Sequence, residues 1–186
     1  MDLILETPRL ILREFVLDDW RAVHEYASDP EVTRYLSWGP NDEAASQHFV
    51  AAVITKRREQ PRSVYDLAVT LRETGKLIGG CGIYRQRFGE GELGYCLHRS
   101  YWNRGYMTEA VRAFLEWAFT EGGFHRIYAR CHPANTASAR VMEKNGMKKE
   151  GCLRDHMYKD GRWSDALLYA ILEDEWREFS GKNRNE

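Results

Sequence analysis

The stretch Tyr101-Trp102-Asn103-Arg104-Gly105-Tyr106-Met107-Thr108-Glu109-Ala110, continuing as VRAFLEWAF to Phe119, decides the fold. From Met107, the apolar residues Ala110, Val111, Phe114, Leu115, Ala118 and Phe119 fall at i+3, i+4, i+7, i+8, i+11 and i+12, the stripe of a helix buried on one side. Gly122-Gly123 ends that helix and Arg126 to Cys131 resumes a strand, so the unit is β-α-β and must cross over to a parallel partner. Gly105 stands at the helix entry, where a missing Cβ lets backbone approach a ligand and the unpaired N–H groups and helix dipole favour anionic oxygens. Read alone, this glycine also fits an ordinary helix entry. The run matches neither Gly-x-Gly-x-x-Gly nor Gly-x4-Gly-Lys, which disfavours those two nucleotide folds.

Working outward, Val64 to Leu71 places Tyr65, Leu67, Val69 and Leu71 on one face, and Glu73-Thr74-Gly75-Lys76 turns the chain into Leu77 to Tyr84. A third strand, Glu92 to Leu97, completes an antiparallel meander. Before it, Arg9 to Phe15 reads as a strand, Asp18 or Asp19 as the N-cap of a helix through His24, and Asn41 to about Arg58 as a second helix closed by Pro61. After the crossover, a helix from about Asn135 to Asn145 stops at Gly146, and strands Gly151 to Tyr158 and Trp163 to Ile171 meet at Asp160-Gly161. A short helix from Glu173 to Phe179 precedes a loose polar tail, Gly181 to Glu186. The fold class is α/β, mixed α+β: a mostly antiparallel seven-stranded sheet flanked by helices, with one parallel crossover.

The 186 residues suit one domain, and 43% hydrophobic residues with six Trp, ten Tyr and seven Phe exclude a chain that stays unfolded. Lys plus Arg number 27 against 28 Asp plus Glu, so no bulk charge draws the chain to nucleic acid or an anionic membrane. No apolar run approaches the roughly 18 residues needed to cross a bilayer, and the N-terminus lacks the order of a secretory signal, so a cytoplasmic protein is expected. The cysteines Cys81, Cys96, Cys131 and Cys152 have no metal-ligand spacing; free thiols and no metal are expected.

The runs YWNRGYMTEAVRAFLEWAF and HPANTASARVMEKNGM, with TPRLILRE before them and EGCLRDHMYKDGRWSDALLYAIL after, resemble the GNAT acetyltransferase superfamily, in detail its RimJ/RimL branch. The resemblance spans Thr7 to about Leu172 and implies a GNAT domain over residues 7–174, with 175–186 as the end of the last helix and the polar tail. It implies a sheet split by a V-shaped cofactor cleft, with acetyl-CoA as cosubstrate between the strands Glu92 to Leu97 and Arg126 to Cys131. Carried over by position, the phosphate pattern falls on Trp102 to Met107, so Arg104, Gly105, Met107 and Thr108 are expected around the pyrophosphate. A backbone bulge near Leu97 is expected to free main-chain groups for the cofactor. Asn135 and Ser138, spaced Asn-x-x-Ser, are expected to face the cofactor, and each also fits a plain N-cap. Where many of these enzymes have an acidic tyrosine, Met142 stands, so Ser138 is expected to serve the leaving thiolate.

The implied reaction is direct attack of a primary amine on the thioester in a ternary complex, without a covalent enzyme intermediate. Glu92 is the candidate base, at the start of the strand beside the cleft, and it equally fits a solvated strand-end carboxylate. The acceptor implied by the RimJ/RimL likeness is a protein N-terminal α-amine, with ribosomal proteins as precedent. Alternatives are a small amine or polyamine, or a CoA-binding module without catalysis. Tyr35, Trp38, Tyr158 and Trp163 are expected near the acceptor end, and aromatics there also fit core.

Overall fold

The computed structural model describes residues 2–183. One sheet of eight strands has the order β1-β2-β3-β4-β5-β6-β8-β7. Its strands are β1 (Ile4–Glu6), β2 (Leu10–Glu14), β3 (Val64–Leu71), β4 (Leu77–Arg85), β5 (Glu90–Leu97), β6 (Arg126–Cys131), β7 (Lys148–Lys159) and β8 (Arg162–Leu172). The helices are α1 (Trp20–Ala27), α2 (Pro30–Thr33), α3 (Glu43–Lys56), α4 (Tyr106–Thr120), α5 (Thr136–Glu143) and α6 (Glu173–Asn183).

The sheet has eight strands rather than the expected seven because Ile4–Glu6 pairs antiparallel with Ile11–Arg13. Thr7 turns this hairpin: its hydroxyl oxygen accepts from the Leu10 N–H at 2.9 Å and its backbone N–H donates to the Leu10 carbonyl at 3.0 Å. Asp19 precedes α1 without capping it; its carboxylate instead takes the Arg13 guanidinium and the Val16 N–H. Asp42 caps α3 through the Ala45 N–H at 2.7 Å. The last helix runs on to Asn183, so the expected loose tail is helical up to there and its end lies outside the described residues.

Both faces of the sheet are covered. Leu67, Val69, Cys81, Ile83 and Leu93 pack toward the α4 stripe of Ala110, Val111, Phe114, Leu115 and Ala118, and Trp176 of α6 joins them. On the other face Ala68, Leu77 and Cys96 pack with Phe15, Val23, Tyr26, Ala27, Val50 and Val53. β3, whose alternation sets Tyr65, Leu67, Val69 and Leu71 on one face, is buried on both sides from Asp66 to Thr70.

The one parallel pair positions the site. β5 and β6 pair only over Glu90↔Arg126, Gly91↔Ile127 and Glu92↔Tyr128, while β5 stays registered on β4 out to Gly79↔Leu97. Beyond Glu92 the two strands diverge, and the edge of β5 from Leu93 to Leu97 faces an opening. The β4–β5 ladder has no register shift, so divergence from β6 and not the expected bulge frees that edge.

Candidate functional site

The opening leads into a cavity of about 1130 Å³ that passes from α4 and α5 on one side of the sheet to α1, α2 and β7 on the other. At its first end, Gly105 holds φ +77° just before α4. A left-handed residue here swings the chain so that the helix begins pointing into the cavity. The first internal bond of α4 runs from the Glu109 N–H to the Gly105 carbonyl at 3.0 Å, and no described residue accepts from the N–H groups of Tyr106, Met107 and Thr108. Three donors and the positive end of a 15-residue helix thus converge on one spot, the arrangement that holds a phosphate oxygen.

Two residues absent from the sequence-based expectations brace this end. Arg9 donates from Nε to Glu109 Oε2 at 2.6 Å and from Nη1 to the Arg104 carbonyl at 2.9 Å, and its guanidinium lies 4.6 Å from the centre of the Tyr106 ring. Burial opposes ionisation of Glu109, but the Thr7 hydroxyl and Arg9 together bring its carboxyl below the ordinary value. Asn145, fully buried, donates from Nδ2 to the carbonyls of Thr108 and Val141 at 3.2 and 2.8 Å and so ties the first turn of α4 to α5.

At the free edge of β5 the His98 N–H bonds to the Ile78 carbonyl of β4 at 2.8 Å, so by strand alternation the Leu97 N–H turns toward the opening. The Leu97 carbonyl is occupied by the Trp102 indole at 2.8 Å. Across the opening, Asn135 caps α5 by accepting from the Ser138 N–H at 3.1 Å. The Ser138 hydroxyl lies 3.0 Å from the Tyr95 hydroxyl, which also donates to the Ser138 carbonyl at 3.0 Å. Burial holds the Tyr95 phenol well above its ordinary value, so it remains a protonated donor. Burial also pushes the Cys131 thiol up to about 11, against the Ser138 hydroxyl. Cys131 is therefore a neutral wall of this part of the cavity.

Glu92 lines the cavity, but its carboxylate is the anion of an ion pair: Arg130 Nε donates to Oε1 at 3.0 Å, Arg130 Nη2 to the same oxygen, and Tyr128 Oη to Oε2 at 3.4 Å. With both oxygens engaged, one of them by a charge, the expected base role loses its geometric footing. Toward the other end of the cavity, Tyr35 stacks on His132 with ring centres 5.1 Å apart. Lys159 Nζ donates to the carbonyls of Thr33 and Trp38 at 2.7 and 3.2 Å and bridges β7 to the loop after α2.

Of the expected residues, Tyr35, Trp38, Glu92, Leu97, Gly105, Met107, Thr108, Asn135, Ser138 and Tyr158 line this one cavity. Arg104 and Trp163 do not. Arg104 contributes its carbonyl to Arg9, and Trp163 lies outside, 61% exposed and packed on Tyr158. Met142 is fully buried. Asp66, unremarked in the sequence, lines the cavity from β3. Among the described residues no group of His, Cys, Asp and Glu could hold a metal ion, and no helix is long and apolar enough to cross a membrane.

Comparison with known proteins fits this geometry. The model of the acetyltransferase (GNAT) domain matches residues 9–148. The chain is 40% identical over 174 residues to YnaD of Bacillus subtilis, described as an uncharacterized N-acetyltransferase, covering 92% of this chain and 98% of that one. It is 31% identical over 181 residues to the [ribosomal protein uS5]-alanine N-acetyltransferase of Escherichia coli, covering 92% of each. The crystal structure of a GNAT-family acetyltransferase from Bacillus anthracis superposes with a TM-score of 0.83 at 35% identity, over 92% of this chain and 99% of that one. A helix entry with three N–H groups free of any described acceptor, a sheet parted at one parallel pair and these likenesses converge: the chain belongs to the GNAT acetyltransferase family, on its RimJ/RimL-like side, and is an acetyl-CoA-dependent N-acetyltransferase.

Proposed function

We propose that the acceptor is the N-terminal α-amine of a protein and that the enzyme works in the cytoplasm. The observation that carries the reading is the cavity that crosses the sheet where β5 and β6 part, with phosphate-binding geometry at one end and an aromatic-framed mouth at the other. The likeness to the uS5-alanine acetyltransferase supports a peptide acceptor, ribosomal or otherwise, and four free thiols suit a reducing compartment. Acetyl-CoA supplies the thioester. The N–H groups of Tyr106, Met107 and Thr108 hold its pyrophosphate, with Gly105 allowing the close approach, and the Leu97 N–H is placed to hold the carbonyl oxygen as it gains charge. Ser138, oriented by Tyr95 and by the Asn135 cap, donates to the departing sulfur. Tyr35, Trp38 and Tyr158 frame the peptide's entry.

The Lys159 bridge across the mouth favours a second reading, a small amine or polyamine acceptor. The test is release of free CoA thiol, with mass confirmation of the product, for a tetrapeptide beginning in free alanine, an N-formylated peptide with one lysine, and spermidine. The α-amine reading expects kcat/KM for the alanine peptide at least tenfold above the others. Preference for spermidine or the lysine side chain overturns it.

A further inference from the structure

An amine protonated at neutral pH needs an anion to receive it, and on the acceptor side one carboxylate besides Glu92 lines the cavity. Asp66 of β3, Gly82 of β4 and Gly94 of β5 stand in one row across the sheet. The Asp66 side chain leans over Gly82 so closely that Oδ1 lies 2.1 Å from where a Cβ at Gly82 would be. Tyr84 donates to that same oxygen at 2.8 Å, and its ring lies 3.5 Å from the position of a Cβ at Gly94. Asp66 Oδ2 takes no hydrogen bond from any described residue and opens on the cavity. The two glycines in the row leave room for the Asp66 carboxyl and the Tyr84 phenol to lie between β3 and the free edge of β5. A nitrogen over Gly94 is one strand spacing, ~4.8 Å, from Gly82, within direct or single-water reach of Oδ2.

We infer that Asp66, steadied by Tyr84, is the carboxylate that binds the acceptor's ammonium and takes its proton. This rests on the reading of acetyl transfer to an α-amine. Asp66 accepts one proton from R-NH3+, and the freed lone pair forms the C–N bond at the thioester carbonyl as the C–S bond breaks. The second proton on nitrogen passes to the thiolate, and Asp66 releases the first to solvent, which gives amide, CoA thiol and one proton. Burial raises the Asp66 carboxyl to about 6, against opposing effects of the Tyr84 hydrogen bond, Lys56 of α3 and Arg62, with Glu14 of β2 adding to the rise. Tyr26 of α1 and Cys81 of β4 also feel its charge, and both stay neutral because burial raises them further. A carboxylate at about 6 is better matched to an α-amine near 7.7–8.0 than to a lysine amine near 10.4.

The test uses the whole chain, the alanine tetrapeptide and acetyl-CoA, with Asp66→Asn and Tyr84→Phe. Asp66→Asn keeps the shape, and its kcat/KM for the peptide should fall at least 100-fold, with the acetyl-CoA Kd within twofold of wild type. The wild-type low-pH limb should shift upward in Tyr84→Phe, because the hydroxyl that favours the carboxylate is gone. The sign of stability separates this from a structural role. A carboxyl raised above its unfolded value costs nothing below about pH 4, costs stability as pH rises from about 4 to 6, and carries that full cost above. Asp66→Asn should therefore melt about 6–12 °C above wild type at pH 8 and equal to it near pH 4. Wild-type turnover retained in Asp66→Asn within threefold, or an unmoved limb in Tyr84→Phe, overturns the assignment. A wild type inactive on the peptide but active on spermidine or lysine overturns the α-amine reading, and one inactive on every amine overturns both.

Discussion

Gly105→Val probes the phosphate end most directly. At φ +77° an L-residue carries left-handed strain of about 1–2 kcal/mol. A Cβ there meets nothing within 4 Å except Arg9 Nη2 at 3.4 Å, the far end of a flexible side chain, so no core clash adds to the strain. At roughly 2–4 °C per kcal/mol for a chain of this size, Tm should drop by about 2–8 °C and the fold should persist. The ligand effect is separate. Three N–H groups facing one anion are each worth about 1.5–3 kcal/mol, and a branched side chain at their edge displaces at least one, which weakens CoA about 10–100-fold. Gly123→Val is the matched control: φ is +66°, nothing lies within 4 Å, and the position is beyond the other end of α4. Calorimetric titration of CoA into both variants, with thermal melts alongside, should show similar melting losses and a CoA defect in Gly105→Val alone. If Gly105→Val binds CoA within threefold of wild type, the cradle is not at this helix entry.

Ser138→Ala should lower kcat for the alanine peptide more than it weakens acetyl-CoA, because a donor to a developing thiolate acts chiefly in the transition state; equal losses in stopped-flow binding and turnover would return Ser138 to capping and cofactor binding. Arg62→Met strips the bidentate partner, at 2.8 and 3.1 Å, from Glu14, whose side chain is only 4% exposed. The cost should be about 3–5 kcal/mol by urea unfolding, partly recovered in the double variant with Glu14→Gln, since the stranded charge is then gone. A single-variant loss below about 1 kcal/mol would contradict that account. Asn145→Ala should loosen the first turn of α4 and cost about 1–3 kcal/mol through the two buried hydrogen bonds lost; unchanged stability and CoA affinity together would remove it as a brace.

What was legible in the sequence followed from local periodicity and turn chemistry. The α4 stripe, the meander, and the Asp160-Gly161 turn with φ of +49° and +78° all answer to rules that act over a few residues. β1 escaped because three residues carry no period, and only pairing with β2 makes them a strand. α2 escaped for the same reason: it is one turn long, set by Pro30 and the Asp29 cap on the Glu31 N–H.

The site was legible where it depends on backbone and illegible where it depends on distant partners. Gly105 was readable because a missing side chain at a helix entry has meaning in place. Glu92 looked like a free acid because Arg130, which holds it, comes from another strand 38 positions on. Asp66 was overlooked for a more specific reason. The alternation of Tyr65, Leu67, Val69 and Leu71 assigns Asp66 to the opposite face, and a carboxylate on a solvated face is unremarkable. That face is covered by α1 and α3, whose Phe15-side cluster turns the same carboxylate into a buried charge beside two glycines. A strand pattern reports one buried face directly, whereas burial of the second depends on helices arriving from elsewhere in the chain. The proposed acceptor side is built on that second face, so its polar residue is visible only once the helices are in place.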